Sequence, residues 1–478
     1  MSLSELLAIL PLMFLGLTPV VMMLVVAFYR NHLLTALIAL AGLGMSLAML
    51  PVVGYVGFRP VTPLLVMDGY GTFFMGLILV ASGVTAAISY DYFKEFSGNR
   101  EEYYILLLLA AFGASVLCVA KHLAAMFLGL EILSVSLYAL IAYPLTTDRQ
   151  VEAGLKYLIL AAVSSAFLIF GMALVYSDSG VLDLVGIGKL LHPPFSAQDN
   201  LLLLSGLAMI VVGMGFKLAL VPFHLWTPDV YQGAPAPVAG FVATVSKGSM
   251  VALMVRFLSP ASLKPGDSLY WMFAAMAVAS MFSGNLLALL QNNVKRILAY
   301  SSIAHLGYIM VAFLAGGSLA KTAVAFYILA YFITALGAFG VVTLMSAPDK
   351  EAERIDDFRG LFWKRPWLGG TFSVMLFSLA GIPVTAGFMG KFYLVSSGVE
   401  TTRWGLVLSL ILTSTIGLFY YLRVVGVLFD HAPDGPSIIP SSKRLPAGYL
   451  ILGVLVVFLL WAGVFPSSFI HLIHSQLF

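Results

Sequence analysis

The sequence predicts an all-α polytopic membrane protein with about 14 transmembrane helices, in two inverted five-helix repeats with discontinuous helices 7 and 12. Three observations carry this. Of the 478 residues, 61% are hydrophobic and 10% charged, with mean hydropathy +1.00. Apolar stretches of about 20 residues, long enough to cross a hydrocarbon core of about 30 Å, recur from end to end. Four ionisable side chains, Glu131, Lys217, Lys247 and Lys391, lie inside such stretches, and two of the lysines share a span with an interrupting proline.

The spans are too long and too uniformly apolar for barrel strands, so helices are expected throughout. The first apolar run begins almost at Met1 without a basic n-region or a small-residue cleavage site, and reads as a retained span rather than a signal peptide. Helices 1–3 are expected in residues 1–100 and read as packing helices. Residues 101–260 form a first five-helix repeat, residues 261–430 a second, and residues 431–478 hold the C-terminal helix. Each repeat has a fourth span with both a lysine and a helix-breaking proline: GFKLALVPFHLW (Lys217, Pro222) and LAGIPVTAGFMGKFY (Pro383, Lys391). Because five is odd, tandem units enter the membrane from opposite sides, which makes the repeat an inverted one. The longest hydrophilic stretch, residues 347–366, is expected to be a loop.

Charge orients the chain. Loops after odd-numbered spans hold Arg30, Lys94, Arg100, Arg149, Lys156, Lys295, Arg296, Lys350, Arg354, Arg359, Lys364, Arg365, Lys443 and Arg444. Loops after even-numbered spans hold only Arg59, Lys121, Lys189, Lys264, Lys321 and Arg403. The odd loops are therefore expected to be cytoplasmic and both termini periplasmic. The single cysteine, Cys118, excludes a disulfide framework or cysteine-held iron–sulfur cluster within the chain and reads as a core residue. With no glycine-rich phosphate loop and no metal-spaced His/Cys cluster, neither metal, nucleotide nor nucleic acid is expected as a ligand.

Depth singles out the candidates. Glu131 lies ten residues beyond Lys121, about 15 Å at the helical rise and half the core thickness. Lys247 is ten residues beyond Pro237 and Lys391 nine before Glu400, which gives similar depths. Lys217 stays central only if Pro222 divides a longer, two-part helix. Buried charge is costly in a membrane and tends to mark ion or proton routes. A lysine in a low-dielectric site releases its proton more readily, and a nearby carboxylate reverses that, which makes a switch. A static ion pair between Glu131 and Lys217 or Lys247 is the structural alternative, but one deep acid does not neutralise three deep bases. His224 and His305 titrate near neutrality and are candidate relays, with a hydrogen-bonded core role equally open. Arg256 and Arg423 are expected to snorkel at span ends, and Asp229 to stabilise the turn after Pro228.

The string GFKLALVPFHLWTPDVYQGAPAPV (residues 215–238) resembles the membrane-arm antiporter-like subunits of respiratory complex I, in which a lysine precedes a Pro-Phe-His-x-Trp-x-Pro-Asp run. LGLEILSVSLYALIAY (128–143), VKRILAYSSIAHLGYIM (294–310) and AGFMGKFYL (386–394) agree in order and character. Within that family, HLWTPDVYQGAP is similar to the N-type branch. Lysine at position 391 departs from the M type, and the lack of a long lateral C-terminal helix departs from the L type. The resemblance implies a proton path across the membrane: Glu131 modulates Lys217, Lys247 relays, and Lys391 is the second-half donor or acceptor. It further implies no cofactor in this chain, with FMN, iron–sulfur clusters and the quinone site in other subunits. The implied partners are the lipid bilayer and other complex I membrane subunits, the antiporter-like M type and the small K type among them. Homologous subunits of cation/proton antiporters or membrane-bound hydrogenases would carry similar lysines. A secondary solute transporter, a more distant alternative, would cluster polar side chains at its helix breaks.

Overall fold

A computed structural model describes residues 2–94, 96, 98–143, 145, 147–190, 201–258, 263–348, 350–430 and 446–477; Lys443 and Arg444, assigned to an odd loop, lie outside these. The order is α1 (Leu3–Phe28), α2 (His32–Ala48), α3 (Leu50–Val56), a short hairpin of β1 (Arg59–Pro60) and β2 (Val66–Met67), α4 (Gly69–Phe93), α5 (Glu101–Val119), α6 (Leu123–Ala142), α7 (Asp148–Ser179), α8 (Leu184–Leu190), α9 (Leu201–Leu218) and α10 (Trp226–Gly233). Next come α11 (Ala236–Phe241), a π turn (Val242–Ser246), α12 (Lys247–Leu258), α13 (Ser268–Leu289), α14 (Val294–Ala315) and α15 (Gly317–Met345). The chain ends with α16 (Leu361–Lys364), α17 (Pro366–Ala380), α18 (Ala386–Glu400), α19 (Trp404–Phe429), α20 (Pro446–Val464) and α21 (Pro466–Leu477).

Among the described residues, 13 helices are long and apolar enough to cross a membrane. The 15-residue α17 is a shorter apolar helix, and the 15-residue α18 follows it across a break. The expected polytopic helical fold is therefore present. So are both discontinuities: α9 stops at Leu218 before Pro222, and α17 stops at Ala380 before Pro383.

Each break has a local cause. Proline removes a backbone donor and clashes with the preceding turn. At the first break Ala219 turns to φ 60° and the Phe216 carbonyl is taken by the Ala219 amide (3.0 Å) and the Trp226 indole (2.9 Å). At the second, Gly381 (φ 86°) and Val384 (φ 75°) leave helical backbone, and the Thr385 side chain caps α18. The span formed by α11, the π turn and α12, together with α14 and α15, forms the buried centre, whereas α1, α7, α19 and α20 are exposed along much of their length.

Several expectations change. Arg256 does not snorkel: its guanidinium makes a bidentate pair with Asp68 (2.7 and 2.8 Å), also donates to the Cys118 carbonyl (3.1 Å), and thereby ties α12 to the start of α4. Arg423 likewise turns inward, donating to the carbonyls of Leu289 and Gln291 where α13 has run out of partners. Asp229 does more than finish a turn: it lies within α10 and takes Arg296 (2.8 Å) and Lys156 (3.0 Å). Residues 347–366 are a strap rather than a plain loop. Glu351 accepts from Lys295, from the Tyr92 hydroxyl (2.7 Å) and from the Ala236 amide (2.7 Å), while Glu353 pairs with Arg149 (2.9 Å).

Candidate functional site

Three lysines of the candidate set sit where a helix is irregular. Lys217 precedes the end of α9, Lys247 follows the π turn directly, and Lys391 faces the break between α17 and α18. Regular helices satisfy their own backbone in lipid, so irregular backbone at depth needs polar company. At the second break Lys391 supplies it, whereas Lys217 and Lys247 bond to side-chain hydroxyls near their irregular turns. Lys391 Nζ donates to the Leu379 and Ala380 carbonyls (both 2.9 Å), which the end of α17 leaves without helical partners, and to Ser414 Oγ on α19 (2.8 Å).

Lys217 and Lys247 are 1% exposed, so their ammonium groups depend wholly on protein partners. Lys217 donates to Ser134 Oγ on α6 (2.9 Å) and to the Tyr157 hydroxyl on α7 (2.6 Å), whose ring it also overlies at 5.2 Å. Lys247 donates to Ser302 Oγ on α14 (2.7 Å), which also receives the Tyr331 hydroxyl of α15 (2.8 Å), and it lies 5.3 Å from the centre of the Tyr231 ring.

One polar face of α14 lies between the second and third lysines. Ser301, Ser302, His305 and Tyr308 recur at helical spacing and are buried. His305 contacts the Tyr327 hydroxyl through Nδ1 (2.6 Å) and the Tyr421 hydroxyl through Nε2 (3.1 Å), and Tyr421 in turn meets Ser301. The Tyr308 ring lies 5.5 Å from Lys391 Nζ, and its hydroxyl meets Asn285 (2.8 Å), which also receives Tyr420 (3.1 Å). These hydroxyls, one imidazole and one amide form separate hydrogen-bonded clusters along α14 between Lys247 and Lys391, with the His305 ring 5.5 Å from that of Tyr331 and 5.4 Å from that of Tyr308.

Between the first two lysines lies α10. Its first residue, Trp226, packs on Tyr157 of the Lys217 site (5.1 Å between rings), and Tyr231 packs under Lys247. Thr227 on the same helix and Ser246 in the π turn are fully buried, and their hydroxyls have no partner among the described residues. A buried hydroxyl of this kind is ordinarily satisfied by an ordered water.

The other two candidates stand apart. Glu131 accepts a hydrogen bond from Ser165 on α7 and forms no ion pair with Lys217 or Lys247 among the described residues, so the static-pair alternative is absent from this conformation. Instead it lies half-buried on α6 between Leu128 and Val135, which are 53% and 56% exposed, at the lateral rim of the chain. His224 sits in the turn before α10 with Nδ1 buried and unpartnered among the described residues; it is not connected to the lysine series. Ser134, Tyr157, Ser302, Tyr331, Tyr327, Tyr421, Asn285 and Ser414 escaped sequence reasoning. Only the 301, 302, 305, 308 spacing on α14 offered a signal.

Residues 120–417 match the family model described as NADH:quinone oxidoreductase/Mrp antiporter, transmembrane. A chain in the structure of respiratory complex I from Thermus thermophilus with bound aureothin is 32% identical, with TM-score 0.83 over 96% of this chain and 98% of that one. The fold is also that of a chain of the archaeal membrane-bound sulfane sulfur reductase, a respiratory membrane complex (24% identity, TM-score 0.84, 98% and 96% covered). A chain of the Mrp complex from a Dietzia species shares it at 18% identity (TM-score 0.86, 100% and 97% covered).

Proposed function

This chain belongs to the NADH:quinone oxidoreductase/Mrp antiporter membrane family, and from that premise we propose that it is the proton-translocating, N-type membrane subunit of a respiratory NADH–quinone oxidoreductase. The observation that carries the reading is the series of three lysines, Lys217 and Lys247 fully buried and Lys391 partly so, each beside irregular backbone and bonded to hydroxyls on α6, α7, α14 or α19, with the hydroxyl-bonded imidazole of His305 on α14 as well. Such groups both donate and accept, so a proton arriving at one leaves from its other side.

In this mechanism Lys217 and Lys247 exchange a proton across α10, where water at Thr227 and Ser246 bridges their sites. His305 carries it along α14 between Tyr327 and Tyr421 toward Lys391. Glu131, at the lateral rim, acts on Lys217 from one turn of α6 away from Ser134. His224 is left outside the path. The chain takes part in the enzyme as a non-redox translocase subunit; FMN, iron–sulfur clusters and the quinone site belong to other subunits. Neighbouring M-type and K-type subunits cover its sides, in a bacterial inner membrane with both termini periplasmic. Residues 101–260 and 261–430 act as the two inverted halves. The 32% identity to the complex I chain, against 18% to the Mrp chain, favours this over the cation/proton antiporter reading.

The test is Lys217→Ala in the intact complex. Proton pumping and coupled quinone reduction are expected to fall while the NADH-dehydrogenase subunits still co-purify. Full pumping by an assembled variant, or purification with antiporter subunits and no NADH dehydrogenase, would overturn the assignment.

A further inference from the structure

At the end of the molecule bearing the even-numbered loops, positive charge gathers at one place. Three of that end's six assigned bases, Lys264, Lys321 and Arg403, line a single cavity of about 300 Å³ with apolar walls from Phe313 and Val324. The N-termini of α13, α15 and α19 lie beside it, each adding partial positive charge. α15 opens on two left-handed glycines, Gly316 (φ 73°) and Gly317 (φ 82°), which line the same cavity.

Among the described residues none of the three bases forms an ion pair. Asp267 is occupied with the Lys264 amide (2.6 Å), and Glu400, at the end of α18, forms no ion pair with any of the three bases. The Arg403 guanidinium lies over the Tyr270 ring (5.0 Å), and its buried Nε has no hydrogen-bond partner among the described residues.

Arg403 also lines a second cavity, of about 550 Å³, whose chemistry is opposite. Its floor is one face of α13: Trp271, Ala274, Ala275 and Val278, at helical spacing and about 10 Å long. Trp271 and Trp404 flank it, 62% and 54% exposed, in the manner of tryptophans at a membrane–water boundary. A cationic pocket and an apolar channel that share one arginine match a molecule with an anionic head and a hydrocarbon tail.

We propose that these two cavities, which share Arg403, bind one anionic phospholipid, its phosphodiester among Lys264, Lys321 and Arg403 and an acyl chain along the α13 face. Charge complementarity and the apolar track select this occupant over zwitterionic lipid and over free phosphate. The bound lipid would brace the turn from α18 to α19, the helices that carry Lys391 and its partner Ser414.

The full-length chain, delipidated in neutral detergent, is titrated with phosphatidylglycerol or phosphatidylcholine carrying brominated chains, which quench tryptophan. Quenching by the phosphatidylglycerol is expected at concentrations at least about tenfold lower. Arg403→Gln with Lys321→Gln should weaken it about 30-fold, at about fivefold per charge near an anionic headgroup. Ala275→Phe, which fills the channel and keeps every charge, should weaken long-chain phosphatidylglycerol but not its dihexanoyl form. Unchanged elution and thermal unfolding verify each variant. Equal affinity for both lipids, or an unaffected double variant, overturns the proposal. Displacement by millimolar inorganic phosphate, with no dependence on chain length, overturns the lipid in favour of a phosphate ion.

Discussion

Lys391 has two separable duties: it supplies donors to a broken helix and it exchanges a proton. Lys391→Met removes the first duty along with the second. The Leu379 and Ala380 carbonyls then lose the Lys391 donor that meets each at 2.9 Å. At about 1–3 kcal/mol for each orphaned group, the break is destabilised by roughly 2–6 kcal/mol. Lys391→Arg keeps the donors and the charge but not the proton exchange. An arginine holds its proton about 2 pH units or more tighter than a lysine, so its deprotonated fraction falls about 100-fold in a like setting. Thermal unfolding of the purified complex and dye-monitored proton uptake by inverted vesicles, at matched NADH oxidation, measure the two duties. The Met variant is expected to lose stability and pumping, the Arg variant pumping alone. An Arg variant that pumps at the wild-type ratio would refute proton exchange at this site and leave Lys391 a structural donor.

Gly381→Ala places a Cβ 2.9 Å from Lys391 Cδ at φ 86°, so the lysine must shift; pumping should drop while the complex still assembles, as read by vesicle assays and subunit yield. Glu351→Gln breaks a pair whose lysine is wholly buried, and loss of about 3–5 kcal/mol should appear in thermal unfolding. Burial alone raises the Asp229 carboxyl, but Arg296 and Lys156 hold it below its ordinary 3.8. A depressed carboxylate stabilises the fold above its unfolded value and less as pH falls through the folded one, so wild type should lose more stability in acid than Asp229→Asn. Parallel acid unfolding curves for the two would contradict this.

Burial was the easiest thing to read from composition. A membrane leaves a chain no choice about satisfying its backbone, so about 20 apolar residues make a helix; breaks fall beside Pro222 and Pro383, whereas α1 runs on through Pro11 and Pro19. That reasoning located Glu131, Lys217, Lys247, Lys391 and both discontinuities. It did not find the π turn before Lys247, since Val242–Ser246 contains neither proline nor glycine to announce it. It treated Arg256 and Arg423 as headgroup-seeking, because a linear sequence does not reveal that Asp68 and the carbonyl end of α13 lie against them. It also held His224 and His305 equal.

What separated those histidines was packing. His305 meets Tyr327 and Tyr421, 22 and 116 residues away, whereas His224 is left beside its own turn. The chain alone determined that long apolar helices recur along its length, because transfer from water to hydrocarbon depends on local composition. Which hydroxyl answers each buried ammonium was decided only by tertiary structure, because a hydrogen bond requires contact within about 3 Å and helices distant in sequence supply it.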